Sequence, residues 1–144
     1  MALQHELDMT FNYEAIPYGV IKSEEEKVAV GKMAQAIRQR LPGEKLDDVM
    51  FRLHGVRSGI THRIVTVDDV YPTQTAGDHR DIWTENGNHP SEFDVIHAQS
   101  FPEDYDFGER TYSSVIYICG MSVPPLMIKR IVNKLLEQGV FDVK

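Results

Sequence analysis

Two adjacent prolines, Pro124 and Pro125, stand directly before an amphipathic run that ends at Gly139. No regular element continues through such a pair, because each proline lacks a backbone donor and fixes its own φ. Prolines suit the first turn of a helix, and glycine suits the left-handed position that closes one. Leu126, Ile131 and Leu135, with Val132 and Leu136 beside them, supply an inward face, so a helix is expected from about Pro125 to Gln138. Upstream, Gly120-Met121-Ser122-Val123 joins this helix to Val115–Ile118, which reads as a short buried strand. The turn is complete as a strand-to-helix connection. It could equally expose backbone amides at the helix start and let a ligand approach closely.

The rest of the chain divides by its periodicities. Ser23-Glu24-Glu25-Glu26 has the spacing of a capping box, and Val28, Met33, Ala36, Ile37 and Leu41 follow at helical spacing until Pro42-Gly43. Lys32, Arg38 and Arg40 at its end suit the helix dipole. Val49, Phe51 and Leu53 alternate, as do Ile64, Val65 and Val67, which predicts two short strands with Gly55, Ser58 and Gly59 in the loop between them. Residues 1–22 suggest a short extended piece around Tyr13, Ile16, Tyr18, Val20 and Ile21. Pro72, Gly77, Gly87 and Pro90 make residues 71–90 loop-rich, as binding surfaces often are. His89-Pro90-Ser91-Glu92 opens a helix that Phe101-Pro102 stops. The sum is one small α+β domain: helix and strands over 1–70, recognition-like loops and a Phe-Pro element over 71–110, and a turn with the final helix over 111–144.

Composition narrows the function classes. With 42% hydrophobic and 26% charged residues, the 144-residue chain is ordinary for a soluble domain. No apolar stretch reaches the roughly 20 residues of a membrane span, and Met1–Thr10 lacks a signal pattern, so the chain reads as cytoplasmic. The single cysteine, Cys119, excludes an internal disulfide and gives no basis for zinc. His54, His62, His79, His89 and His97 fit no helical ligand pair, and no metal is expected. A net charge of -7 weighs against nucleic-acid binding by this chain alone, since that draws on clustered Lys and Arg. A role on DNA calls for a basic partner to supply the phosphate grip.

Three further motifs each have a plain structural reading. Tyr71-Pro72-Thr73-Gln74-Thr75-Ala76-Gly77 is a threonine-rich edge ending in a turn, and His89–Glu92 is a capped helix start. Gln99-Ser100-Phe101-Pro102-Glu103-Asp104-Tyr105 is a helix stop followed by solvated carboxylates. In this order, together with Gly120-Met121-Ser122-Val123-Pro124-Pro125, they closely resemble the closing motifs of cytosine-5 DNA methyltransferases, most of all phage-type members. The resemblance covers residues 71–139, and Leu41-Pro42-Gly43-Glu44 adds a looser match ahead of it. It implies that Thr73, Gln74, Thr75, Gly77, His79 and Arg80 face double-stranded DNA. Arg and Gln are suited to reading base edges, and Thr and backbone to holding phosphates. It also implies that Gly120, Met121 and Ser122 line a pocket for S-adenosylmethionine.

The departures from that family decide what the chain can do. Its residues include no Phe-x-Gly-x-Gly cofactor loop, no Pro-Cys nucleophile, no Glu-Asn-Val element and no Gln-x-Arg-x-Arg element. Cys119 follows Ile118, Ser91 stands where Arg is usual, and Met121 replaces a commoner Asn. Methylation at cytosine C5 needs a thiolate, an acid, a bound methyl donor and a flipped base. No catalytic residue is therefore assigned. The resemblance implies the recognition subunit of a split enzyme, starting from its own Met1 and binding the methyl donor only with a catalytic methyltransferase chain. The other expectation is a catalytically dead binding or regulatory module derived from one. Faces of the final helix and of Phe101–Phe107 that would meet the partner are expected to be apolar, which favours self-association of the chain alone.

Overall fold

In the computed structural model, which describes residues 7–58, 61–76 and 81–140, short strands are interleaved with helices in an α+β arrangement. In chain order the elements are α1 (Tyr18–Ile21), β1 (Glu26–Lys27), α2 (Lys32–Arg38), α3 (Leu46–His54) and β2 (Arg63–Val65). Then come β3 (Ile82–Thr84), β4 (His89–Pro90), α4 (Glu92–Ala98), α5 (Tyr112–Met121) and α6 (Pro125–Glu137). β1 pairs antiparallel with β4, Glu26 opposite Pro90, and β2 runs parallel to β3, Ile64 opposite Trp83. An antiparallel bridge between Pro17 and Val70 ties the N-terminal segment to the stretch that follows β2.

Four small apolar clusters hold these pieces together. α4 and α5 bury Val95, Val115, Ile116 and Cys119 with Phe101, and Tyr71, Ile96 and Phe107 pack on the outside. α2 and α3 bury Ala36, Val49 and Met50 between them. Ala34, Ile37 and Ala29 enclose Trp83, while Tyr18, Val65 and Ile82 fill the space beneath the parallel strands.

Local signals fixed α4 and α6 where expected. Ser91 caps α4 by accepting from Asp94 N, and Asp94 accepts from Ser91 N in return. Pro124 and Pro125 open α6, and Gly139 follows it at φ 67°. The strand at Ile64 and Val65 is present as well.

Four expectations are overturned, the first being that Tyr18–Ile21, read as part of an extended piece, form helix α1. Residues 49–53 form helix α3, not a strand: Leu46, Val49, Met50 and Leu53 make a helical face, Asp47 and Asp48 occupy the first turn, and Gly55 closes it at φ 69°. Val115–Ile118 also lies in a helix, α5, capped by Thr111. Its β-branched residues favour strand locally, but packing against α4 decides. The helix expected from Ser23 starts only at Lys32, after Gly31 at φ 112°. Ser23 Oγ is bonded to Glu25 O and Ser91 Oγ, and Glu26 is committed elsewhere.

Glu26 and Arg38 together staple the turn between β3 and β4. The Glu26 carboxylate accepts from Thr84, Asn86 and Asn88 and pairs with Lys22 at 3.0 Å. Arg38 donates to Ala29 O, Asn86 O, Gly87 O and Asn88 Oδ1. Desolvation pushes the Glu26 carboxyl upward, but hydrogen bonds from Asn88, Lys22, Thr84 and Asn86 outweigh it, leaving the group below its ordinary value. A depressed carboxyl stabilises the fold above its unfolded pKa and ceases to do so as pH falls through the folded value. The stability gap between the native chain and Glu26→Gln should thus be widest above pH 4.5 and narrow at lower pH, as chemical denaturation across that range would measure. A gap that stays constant with pH would rule out this role for Glu26.

Candidate functional site

The threonine-rich segment leaves the core at Tyr71, whose ring lies 5.6 Å from that of Tyr18. The Tyr71 hydroxyl is buried with no partner among the described residues, and burial raises its pKa well above the ordinary phenol range. Thr73 and Thr75 are exposed and line a polar cleft of about 440 Å3 with Thr61, Arg63 and Asp81. Gln74 borders the same cleft but is only 6% exposed, and its Nε2 donates to Thr75 O at 3.1 Å. Its amide is thus turned into the protein instead of being presented to a base edge. Gly77, His79 and Arg80 lie outside the described residues. Arg63 and Asp81 are charged members of the cleft that sequence reasoning missed. Only the parallel register of β2 on β3, which sets Arg63 opposite Ile82, brings them there.

Gly120, Met121 and Ser122 occupy the end of α5. Gly120 faces the threonine segment: a Cβ there would overlap the carbonyl group of Thr75 and come within 2.6 Å of Ala76 N. The close approach that only glycine allows is made by the chain's own backbone. Met121 is 64% exposed, and Ser122 ends the helix with its N bonded to Ile118 O and its Oγ donating to Cys119 O. Just past α4, Ser100 adopts φ 57° and its Oγ accepts from Leu126 N at 3.0 Å, capping α6. The segments 71–76, 99–101 and 120–126, far apart in sequence, therefore meet in one constellation. Cys119 lies wholly buried beneath it, and burial pushes its thiol up to about 11, so it is protonated at neutral pH.

The candidate cofactor residues Gly120, Met121 and Ser122 do not line the larger cavity, of about 530 Å3. That space lies between the N-terminal segment, the end of α4 and the first half of α6, with Tyr71 at one wall. The N-terminal segment is fastened along α6. Asp8 N donates to Gln138 Oε1 and Gln138 Nε2 donates to Asp8 O, both at 2.9 Å, and Lys134 pairs with Asp8 at 3.1 Å. The Arg130 guanidinium lies 4.1 Å from the centre of the Tyr13 ring. Hydrogen bonds from Thr10, then from Lys134, hold the Asp8 carboxyl down at about 2.

On its outer side α6 is uncovered. None of its residues is buried, and Met127, Ile128, Val132 and Leu136 are 40–56% exposed. The Phe101–Phe107 element divides: Phe101 is buried, while Tyr105, packed at an angle against both Phe101 and Phe107, is half exposed. By length and apolarity the stretch Tyr112–Glu137 would suffice to cross a membrane, contrary to the sequence expectation. It is nevertheless two helices, interrupted between Met121 and Pro125, and α5 is partly buried in the core. Comparison with known protein families, with curated proteins and with solved structures finds no match to this chain.

Proposed function

We propose that this chain is the recognition-bearing part of a split cytosine-5 DNA methyltransferase, a cytoplasmic subunit inactive alone that completes a catalytic partner on double-stranded DNA. The observation that carries the reading is α6. A 13-residue amphipathic helix with no buried residue, placed where the resembling enzymes have their closing helix, is a surface in want of a partner. The order of the four motifs supports it, as does the way segments 71–76, 99–101 and 120–126 converge. On this reading S-adenosylmethionine is held chiefly by the partner chain, because Gly120 is occupied by the backbone of Thr75 and Ala76.

The test is reconstitution. A catalytic chain carrying Phe-x-Gly-x-Gly, Pro-Cys and Glu-Asn-Val, taken from the adjacent reading frame, is mixed with this one, labelled methyl donor and duplex DNA. Neither chain alone should transfer label, and the mixture should. Ile128→Glu in α6 should abolish transfer while leaving this chain folded. If the mixture transfers no methyl group, the split-enzyme reading fails. A second reading, a catalytically dead regulatory module, draws support from the inward-turned Gln74 amide and from the net charge of -7. It expects partner binding without methyl transfer.

A further inference from the structure

The cavity of about 530 Å3 beside α6 has the size of a small-molecule site. Its walls are mainly apolar, with rings from Phe11, Tyr13 and Tyr71 facing the aliphatic side chains of Leu126 and Ile131. Besides the hydroxyls of Tyr13, Tyr71 and Ser100, two nitrogen-bearing side chains line it, Arg130 and His97. Arg130 lies over the Tyr13 ring, and among the described residues no carboxylate stands within ion-pairing distance of it. His97 packs edge-on against Phe93 and makes no ring hydrogen bond among the described residues. The single carboxylate on the lining is Glu14, which is exposed. Apolar walls with a guanidinium whose five N–H groups are unspent favour a ligand with a flat apolar body and an anionic head. The nearby Glu14 charge disfavours a second negative charge on that ligand.

We propose that this cavity binds a small aromatic monocarboxylate, its ring between the N-terminal segment and α6 and its carboxylate on Arg130. The site is independent of the methyltransferase reading, because none of the residues implied for S-adenosylmethionine, Gly120, Met121 and Ser122, lines this cavity. Its outer wall is the N-terminal segment itself, fastened to α6 through Asp8, Lys134 and Gln138.

Isothermal titration of the full chain with naphthoate, and with the neutral isostere naphthamide, tests the proposal. Naphthoate should bind at one site and more tightly than naphthamide. Arg130→Met should weaken naphthoate by roughly tenfold or more and leave naphthamide within about threefold, since only the charge-assisted hydrogen bonds are lost. Leu126→Trp, which fills the cavity, should remove both. If that variant fails to fold, the acid-to-amide ratio across Arg130→Met still decides. Equal losses for acid and amide, no naphthoate binding at millimolar concentration, or displacement of naphthoate by S-adenosylmethionine would each overturn the assignment. So would loss of binding in Val132→Glu with binding intact in Leu126→Trp, which would put the ligand on the outer face of α6.

Discussion

Replacing Asp94 by alanine lowers the stability of the fold by about 3–5 kcal/mol, the range expected when a buried hydrogen-bonding hub is removed. Asp94 is fully buried. Its Oδ2 accepts from the Tyr18 hydroxyl at 2.6 Å and from Ser91 N, and its Oδ1 accepts from Ser23 N at 2.7 Å. One carboxylate thus closes the cap of α4, anchors α1 and fixes the backbone entering β1. Removal strands the Tyr18 hydroxyl, whose residue is 1% exposed, and a backbone amide at Ser23. Each stranded donor costs roughly 1–3 kcal/mol, which sets the scale. Asp94→Asn keeps the shape and one acceptor oxygen, so it should cost clearly less than Asp94→Ala. Tyr18→Phe combined with Asp94→Ala should destabilise by less than the two changes summed, because they share one hydrogen bond. Denaturant unfolding of the four proteins supplies the cycle, and strict additivity would show that the Tyr18–Asp94 bond carries no coupling.

Asp94 also shows where sequence reading succeeds and where it stops. The α4 start is a local signal, Ser91 and Asp94 three residues apart, and needs nothing from elsewhere in the chain. The partners Tyr18 and Ser23 lie 76 and 71 residues away, and no spacing rule points to them. The same distinction explains Ser23–Glu26. A capping box was available locally, yet Glu26 is taken up by amides of the turn some sixty residues on, and the helix waits until Gly31. In α3 two periodicities overlap. Val49, Phe51 and Leu53 alternate, but Leu46, Val49, Met50 and Leu53 repeat as a helix does, and the exposure of Phe51 at 52% shows which pattern packs. The cavity beside α6 was illegible for a related reason, since its outer wall is fastened by contacts between Asp8 and Gln138, 130 residues apart. The helix that forms its other wall was plain from Pro124, Pro125 and Gly139.

Gly120→Ala should destabilise the fold by about 1–3 kcal/mol, the usual cost of overpacking, where helix propensity alone would have it stabilise by roughly 0.5–1 kcal/mol. The opposite signs make the substitution decisive. Gly120 sits in the last turn of α5, in ordinary helical backbone, so its value is not conformational freedom. It is the absence of a side chain where the Thr75 carbonyl and Ala76 N press against the helix. Because the obstructing atoms are backbone, trimming Thr75 to alanine in the double variant should not restore stability. Gly120→Val should cost more again. The added Cβ must push the threonine segment away from α5, so the cleft lined by Thr73, Thr75, Arg63 and Asp81 should open or shift along with the loss of stability. Amide chemical shifts at Thr73, Thr75 and Ala76 would report that displacement, and thermal unfolding would report the energy. If Gly120→Ala raised the melting temperature with those shifts unmoved, the contact would carry no weight, and the cleft would not depend on α5 for its shape.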